Sequence, residues 1–299
     1  MSTLEHKVVL ITGAARGIGA ATARAIVARG AKVVLLDIDP GPLDELASEL
    51  GPDKALAAVT DVTDLGAVEQ ATAAGIARFG GIDIVMANAG IASYGSVRRV
   101  DPAAFRRVID INLTGVFHTV RAALPSLTSR KGYILVVSSL AAFAPAPGLA
   151  AYGASKAGVE QFASALRLEL AHEGVDVGSA HMSWIDTPLV QDAKSDLSSF
   201  GEMLAALPGP LSRTTSVEAC VDAFVRGLER RQRRVYVPGW VGLVGWLKAL
   251  VTTPVAEGRT LALVPRVLPK MDAEVAALGR STSARNLASG AVRPESDGG

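Results

Sequence analysis

The chain lacks the features that mark secreted, membrane-spanning or nucleic-acid-binding proteins. Cys220 is the only cysteine among 299 residues, so no internal disulfide can form and nothing indicates an oxidising compartment. The formal net charge of +1 provides no general attraction for nucleic acid. The N-terminal segment MSTLEHKVVL has no signal-peptide layout. The uncharged apolar run from Val235 to Leu247 is shorter than the ~20 residues of a membrane span. We therefore expect a cytoplasmic protein.

Short apolar runs alternate with longer Ala-rich segments along most of the chain. Strands are predicted to start near Lys7, Lys32, Ala55, Ile82, Gly132 and Val175. Helices are predicted over residues 17–29, 43–50, 64–79, 112–129 and 152–172, and Asp101 with Pro102 is predicted to open one more. This alternation predicts an α/β protein with a parallel sheet, helices on both faces and ligands at the carboxyl ends of the strands.

A glycine-rich turn, TGAARGIG, follows the first predicted strand and opens the first predicted helix. Gly13, Gly17 and Gly19 allow a sharp turn and close approach to a pyrophosphate, which the helix N-terminus would attract. Asp37 closes the second predicted strand, where a carboxylate can accept from both hydroxyls of an adenosine ribose. An ordinary strand-end aspartate is the alternative. Together the two features favour a dinucleotide site.

Tyr152 and Lys156 form the most informative pair in the sequence. They are four residues apart in YGASK, which places phenol and ammonium on one helix face, and Ser139 precedes them in VVSSL. A tyrosine with a pKa near ~10 is a poor base at neutral pH, and a neighbouring cation lowers that pKa. Such pairs are also common on helix surfaces. Together with Ser139 and the glycine-rich turn, the pair predicts an acid/base catalytic group.

These residues resemble the short-chain dehydrogenase/reductase family. The resemblance runs from about residue 5 to about residue 240. It is carried by TGAARGIG, Asp61-Val62, Asn88-Ala89-Gly90, Asn112 in INLTG, Ser139, Tyr152 and Lys156. It implies a Rossmann-type doubly wound sheet of seven parallel strands, the last being RRVYVP near Val235. It also implies NAD(P)-dependent interconversion of an alcohol and a carbonyl compound.

The resemblance assigns four catalytic residues. Tyr152 would be the acid/base on the substrate oxygen, and Lys156 would lower its pKa and bind the nicotinamide ribose. Ser139 would stabilise the substrate oxygen, and Asn112 would hold a water that connects Lys156 to solvent. The plainer alternatives are that Ser139 ends a strand and Asn112 caps a helix.

The resemblance also implies a cofactor site. Its residues would be Gly13, Arg16, Gly17, Ile18, Gly19, Asp37, Asp61, Val62, Asn88, Gly90, Tyr152, Lys156, Ile185 and Thr187. Asp61 and Val62 would contact adenine, while Asn88 would shape the loop beside its ribose. Asp37 favours NAD, whereas Arg16 is of the type that holds the 2′-phosphate of NADP. Because an unpaired carboxylate against a phosphate is costly, we predict NAD, with NADP as the alternative.

The loop after the sixth predicted strand departs from the family pattern. The family has Pro-Gly-x-x-x-Thr there, and this chain has Met182-Ser183 before Trp184, Ile185, Asp186 and Thr187. Met182 and Ser183 lack the conformational freedom of glycine, so the sequence does not define the path of the backbone through this bend.

The C-terminal part extends beyond the family core. We predict a catalytic domain over residues 1–240 with a substrate lid at about 188–213, an apolar extension over 241–279, and a disordered tail over 280–299. The apolar stretch that starts at Val235 and leads into the extension carries Trp240 and Trp246, and it follows the basic segment RRQRR. It would cover the pocket, pack against a second subunit, or lie in a membrane interface with its arginines near anionic lipid.

Together these patterns predict an NAD-dependent oxidoreductase for a hydrophobic secondary alcohol or ketone. The substrate would be sterol-like, retinoid-like or long-chain. The alternatives are an NADP-dependent carbonyl reductase and a nucleotide-bound membrane scaffold with little turnover. The family resemblance implies a homodimer or homotetramer formed through the helices near Asn112 and Tyr152. The spacing of the four histidines suggests no metal site.

Overall fold

A computed structural model describes residues 3–251 and 253–288, and within them seven parallel strands form one sheet. The strands are β1 Val8–Thr12, β2 Lys32–Asp37, β3 Ala55–Val59, β4 Ile84–Ala87, β5 Tyr133–Val137, β6 Asp176–Met182 and β7 Arg234–Val237. Their order is β3-β2-β1-β4-β5-β6-β7. The connection reverses direction between β1 and β4, which opens a crevice at their carboxyl ends. The predicted Rossmann-type sheet is confirmed.

Helices follow the strands. They are α1 Gly17–Val27, α2 Pro40–Leu50, α3 Leu65–Phe79, α4 Pro102–Ile109, α5 Gly115–Arg130, α6 Ala150–Glu169, α7 Pro188–Asp196, α8 Ser198–Ala206, α9 Val217–Glu229, α10 Val241–Trp246, α11 Lys248–Val251, α12 Pro254–Leu278 and α13 Ala284–Ala288. Helix α4 begins as expected, since the Asp101 carboxylate accepts from the Ala103 amide at 2.9 Å and Pro102 occupies the first turn.

Apolar side chains cover both faces of the sheet. Helices α1, α2 and α9 bury residues such as Ile26, Leu43 and Phe224 against one face. Helices α3, α5 and α6 bury residues such as Val120 and Val159 against the other. Cys220 is fully buried in the first of these clusters, as expected of a small apolar side chain.

The segment around Asn112 differs from the prediction that a helix starts there. Helix α4 continues through a π-helical turn, Asp110–Thr114, directly into α5. Asn112 therefore lies inside a continuous helical segment and caps nothing. The wider turn carries its side chain to the loop after β4, a local use of π geometry that is common at functional sites.

The predicted lid and the extension pack together as a third apolar cluster. The lid consists of α7 and α8, and α12 lies across α8. Phe200 and Met203 of the lid share this cluster with Val267 and Met271 of α12. The extension therefore folds over the lid side of the sheet.

The tail prediction is wrong for residues 280–288. Ser281, Thr282 and Ser283 are buried, and the Arg280 guanidinium forms a bidentate ion pair with Asp196 at 2.6 and 2.7 Å. This partner is remote in sequence, so the local polarity of the tail gave no sign of it. Residues 289–299 lie outside the described residues.

The described residues contain no helix that is both long and apolar enough to cross a bilayer. Two of the four arginines that the membrane alternative places near lipid form ion pairs within the protein. Arg231 pairs with Asp176 at 3.3 Å, and Arg234 pairs with Glu160, both near the amino ends of β6 and β7. Trp246 follows the carboxyl end of β7, so the basic segment and the tryptophan lie at opposite edges of the sheet.

Candidate active site

A cavity of about 1150 Å³ lies at the carboxyl ends of the central strands. It is lined by most of the predicted residues, namely Gly13, Arg16, Gly17, Ile18, Asp37, Asp61, Val62, Asn88, Gly90, Ser139, Tyr152, Lys156, Ile185 and Thr187. Gly19 and Asn112 do not line it. Residues of five loops thus meet at the sheet edge where an open α/β fold binds ligands.

The glycine turn packs tightly against the loop after β4. A Cβ atom at Gly13, whose φ is +65°, would lie 2.8 Å from the Ala89 Cα atom. A Cβ atom at Gly19 would lie 2.1 Å from the Gly13 carbonyl oxygen. Gly19 therefore allows the turn to close on helix α1 and does not face the cavity, which corrects its assignment as a contact residue. Asn88 stabilises the turn, because its side-chain amide donates to the carbonyls of Thr12 and Gly13 at 3.0 Å.

Asp37 and Arg16 are held in different environments. The Asp37 carboxylate accepts from the amides of Ala15 at 2.9 Å and Asp39 at 3.1 Å. Burial raises its pKa, and these backbone hydrogen bonds oppose the rise. The Arg16 guanidinium lies 2.6 Å from the Asp39 carboxylate. Arg16 is therefore already paired with a carboxylate, while Asp37 faces the cavity.

Asp61 is fixed by a residue that the sequence interpretation missed. Arg107 of α4 donates to its carboxylate at 2.6 Å, and Thr63 donates to it at 2.8 Å. Burial acts to raise the Asp61 pKa, but these hydrogen bonds keep it below the usual value. Arg107 also lines the cavity, so a cation faces the same region as the predicted adenine contacts.

Ser139, Tyr152 and Lys156 meet between β5 and α6. Burial raises the Tyr152 pKa, and a hydrogen bond with the Ser139 hydroxyl lowers it. Lys156 is buried, its ammonium donates to the Val137 carbonyl at 2.8 Å, and it lies 5.7 Å from the Tyr152 ring centroid. Burial lowers the Lys156 pKa to about 8.

The predicted lowering of the Tyr152 pKa by Lys156 is not what this structure shows. The ammonium is directed to a backbone carbonyl, and the loss of hydration around the phenolate outweighs the hydrogen bond from Ser139. Tyr152 is therefore protonated at neutral pH and is placed to donate a proton. It would accept a proton more readily at alkaline pH.

Asn112 lies directly behind this group. Its side-chain oxygen accepts from the Ile91 amide, and its nitrogen donates to the Ile91 carbonyl and to Ser155, all at 2.9 Å. A Cβ atom at Gly90 would lie 3.2 Å from the Asn112 oxygen and 3.3 Å from the Lys156 nitrogen. Gly90 thus allows Asn112 and Lys156 to approach the same point.

The loop after β6 turns without a proline or glycine. Met182 pairs with Val237 of β7, and the Ser183 amide donates to the Val237 carbonyl at 2.8 Å. No positive φ is recorded for Met182 or Ser183 in the described chain. The family's glycine at the Ser183 position would also carry an amide hydrogen, so this pairing with β7 is compatible with either residue, and the bend forms here without glycine. Thr187 then starts α7 and packs near Gly17.

A buried charged cluster supports the Ser139 loop and was missed by the sequence interpretation. Glu160 of α6 contacts the His181 Nε2 atom at 2.8 Å, accepts from Ser179 at 3.0 Å and pairs with Arg234. The other ring nitrogen of His181 lies 3.3 Å from the Ser139 carbonyl oxygen. Glu160 is four residues after Lys156, so a charged position on the buried face of α6 was the available signal.

Toward the lid and the extension the cavity is lined mainly by apolar side chains, together with Asp192, Lys248, Glu257 and Arg285. Its walls include Phe143, Leu149, Trp184, Val190 and Leu261. Ion pairs fasten the extension to the lid around this end. Asp192 pairs with Arg285 at 2.9 and 3.0 Å, and the Asp196 carboxylate that binds Arg280 also accepts from Tyr94 at 2.6 Å.

Comparisons with known proteins agree with this geometry. A family model described as short chain dehydrogenase matches residues 7–198. The trans-4-hydroxycyclohexanecarboxylate dehydrogenase of Sinomonas cyclohexanicum is 35% identical over 225 residues, covering 73% of this chain and 83% of the relative. The (-)-trans-carveol dehydrogenase of Rhodococcus erythropolis is 37% identical over 210 residues, covering 64% of this chain and 76% of the relative.

Two solved structures share the fold and carry a nicotinamide cofactor. The 3-ketoacyl-(acyl-carrier-protein) reductase from Brucella melitensis, complexed with NADH, is 30% identical with a TM-score of 0.70, covering 78% of this chain and 97% of that one. A short chain dehydrogenase from Mycobacterium paratuberculosis bound to NAD is 30% identical with a TM-score of 0.71, covering 79% of this chain and 97% of that one.

Proposed function

Since this chain belongs to the short chain dehydrogenase family and is an oxidoreductase of CH–OH groups, we propose that it interconverts a hydrophobic secondary alcohol and its ketone with NAD. The observation that carries the proposal is that Ser139, Tyr152 and Lys156 line the same cavity as the glycine turn and Asp37. A proton-transfer group and a dinucleotide cradle therefore open into one space.

The cradle fits an adenine dinucleotide. Gly13 packs against the loop after β4 too closely for a side chain, which fixes the turn, and the amides at the start of α1 suit a pyrophosphate. Asp37 would bind the adenosine ribose and disfavour a 2′-phosphate, while Asp39 engages Arg16. Asp61 and Val62 would face the adenine, and Ile185 and Thr187 the nicotinamide end. When bound, NAD supplies the acceptor for a hydride from the carbinol carbon.

The chain supplies the proton chemistry. During ketone reduction Tyr152 donates its phenolic proton to the substrate oxygen, and during alcohol oxidation it accepts that proton. Ser139 stabilises the same oxygen by a hydrogen bond. Lys156 would bind the nicotinamide ribose and place a positive charge beside the phenol. Asn112 positions the Ile91 loop and Ser155 behind Lys156, and we propose that this region exchanges protons with solvent through a water.

The apolar walls support a hydrophobic substrate. Phe143, Trp184 and Val190 surround the space beyond Tyr152, and a carbinol there would be shielded from water. The relatives named for hydroxycyclohexanecarboxylate and carveol are also named for alcohols on carbon rings. We therefore propose a substrate whose alcohol is carried by an apolar body.

We also propose assembly as a homodimer or homotetramer through α5 and α6. Phe117 on α5 and Leu168 on α6 are exposed apolar side chains, 42% and 69% accessible. Burying them against a second copy removes apolar surface from water. Light scattering should give a mass of two or four chains, and a monomer at micromolar concentration would refute this assembly.

The extension carries exposed apolar side chains, called here the apolar rim, of which Leu261 lines the cavity: Leu243, Trp246, Leu250 and Leu261. Trp246 is 86% exposed, and Lys248 and Leu261 also line the cavity. We propose that this rim contacts a lipid interface from which apolar substrates enter. Because the basic segment lies at the other edge of the sheet, flotation with liposomes should depend little on anionic lipid. Loss of flotation in Trp246→Ser would support this contact, and flotation only with anionic vesicles would contradict it.

The test of the proposed function is NADH formation at 340 nm with a panel of secondary alcohols, from cyclohexanol to larger apolar alcohols. We expect turnover with NAD that exceeds turnover with NADP and that is lost in Tyr152→Phe. Tight NAD binding with no turnover of any alcohol or ketone would contradict the proposal.

A further inference from the structure

The apolar end of the cavity continues beneath α12. A side pocket of about 70 Å³ lies between residues 145–147, α8 and α12. Trp184, Leu207 and Val264 line both the side pocket and the main cavity. These side chains form the apolar boundary between the two spaces, which a ligand whose reacting carbon lies beside Tyr152 would cross to reach the side pocket.

The side pocket is suited to hydrocarbon. In the described part of the chain its walls carry no charged side chain, and α8 and α12 supply Met203, Leu263, Val267 and Met271. Flexible methionine side chains adapt to chains of different shape. Its volume admits about two groups of the size of a water molecule, each ~30 Å³. It therefore suits the end of an alkyl chain better than a rigid polycyclic body.

The roof of the side pocket is fixed by polar contacts outside it. Lys270 of α12 pairs with Glu202 of α8, and Glu274 of α12 accepts from Ser198 and Ser199 at the start of α8. These contacts hold α12 against α8 on both sides of Met271. The pocket is consequently formed before any ligand binds, which reduces the entropic cost of binding.

The solved relatives leave about a fifth of this chain unmatched. They are matched over 97% of their own length but cover only 78% and 79% of this chain. The family model ends at residue 198, well before α12. The wall supplied by α12 therefore lies outside the segment that the family model matches.

We infer that the side pocket is a subsite for an alkyl tail. The substrate is a secondary alcohol, or its ketone, with a linear or singly branched alkyl chain. Its carbinol carbon lies beside Tyr152, and the chain passes Trp184 and Val264 to end near Met271. This inference rests on the proposed function for the reaction and adds the substrate class.

The first experiment measures kcat/KM with NAD for 2-alkanols from 2-butanol to 2-undecanol. Each methylene that enters the subsite should raise kcat/KM about fourfold, equivalent to ~0.8 kcal/mol, until the subsite is full. Because the side pocket holds about two such groups, we expect a rise of about sixteenfold over the two methylenes that enter it, followed by a plateau for longer chains. A flat series would overturn the inference.

The second experiment blocks the path. Val264→Trp should lower the ratio of kcat/KM for 2-octanol to that for 2-butanol toward one. Ala262→Trp is the matched control, because Ala262 is exposed on the same helix and outside both cavities, and it should keep the wild-type ratio. Met203→Phe narrows the side pocket from the α8 side and should lower the same ratio as Val264→Trp does. Agreement between these two variants would show that the effect does not come from misfolding of one of them. Equal ratios in the control and both blocking variants would contradict the subsite.

Binding separates failure of the subsite from failure of the proposed function. Titration of 2-decanone, followed by tryptophan fluorescence, should give tighter binding to wild type than to Val264→Trp. Binding of this kind without any turnover would refute the oxidoreductase proposal and retain the subsite. Turnover with no difference in 2-decanone affinity would refute the subsite and retain the oxidoreductase.

Discussion

Glu160 should contribute to stability in a pH-dependent way through its buried cluster with His181, Ser179 and Arg234. Burial acts to raise the Glu160 pKa, but hydrogen bonds from His181 and Arg234 lower it to about 2, against 4.5 for a free glutamate. A pKa lower in the folded state contributes stability that is fully present above pH 4.5 and is lost as the pH falls toward 2. The difference between the folded and free pKa values of Glu160 corresponds to about 3 kcal/mol of folding free energy without screening. Solvent screening near Arg234 reduces this contribution to about 2 kcal/mol.

The perturbation is Glu160→Gln, and the matched control is Glu169→Gln on the exposed face of the same helix. Urea denaturation at pH 7 should give a free energy of unfolding about 2 kcal/mol lower for Glu160→Gln, and a change within about 0.5 kcal/mol for the control. The difference between wild type and Glu160→Gln should shrink between pH 5 and pH 3. Equal effects of the two variants, or a difference that persists at low pH, would refute the assigned role of the cluster.

Further predictions concern the site and its cover. Because burial raises the Tyr152 pKa above its usual value of 10, initial rates of alcohol oxidation should rise between pH 7 and pH 10 while those of ketone reduction stay nearly constant; a loss of ketone reduction well below pH 10 would contradict the assigned proton transfer. Asp37→Ser should increase the ratio of NADP to NAD affinity measured by calorimetry. Asp39→Ser should strengthen NADP binding by releasing Arg16 from its ion pair. Unchanged affinity ratios would contradict the roles assigned to Asp37 and Asp39. Arg280→Gln removes the ion pair with Asp196 and should speed hydrogen exchange of the α12 amides. Unchanged protection of these amides would show that apolar packing alone holds α12 against the lid.

The sheet and the cavity residues were predictable because their signals are local. The strand runs are almost wholly apolar, which is typical of strands covered on both faces. The glycine turn, Asp37, Ser139 and Tyr152 each stand at the end of a strand or at the start of a helix, so strand order alone brings them to one edge. Parallel topology thus converts separate local motifs into one site.

Features that depend on distant partners were not predictable. The π-helical turn at Asn112 depends on hydrogen bonds to Ile91, and the order of residues 280–288 depends on Asp196 and Tyr94. The direction of the Tyr152 pKa shift follows from how deeply the phenol is buried, which spacing on a helix does not reveal. The Glu160 cluster likewise joins α6 to β6 and β7 across the sheet face.

The central claim is that a hydride moves from a carbinol carbon beside Tyr152 to the nicotinamide of NAD. The most direct measurement uses 2-octanol deuterated at the carbinol carbon, with mass spectrometry of the reduced cofactor. The account predicts that one deuterium is transferred per ketone formed and that Tyr152→Phe transfers almost none. Ketone formation without deuterium in the cofactor, or full transfer by Tyr152→Phe, would contradict it.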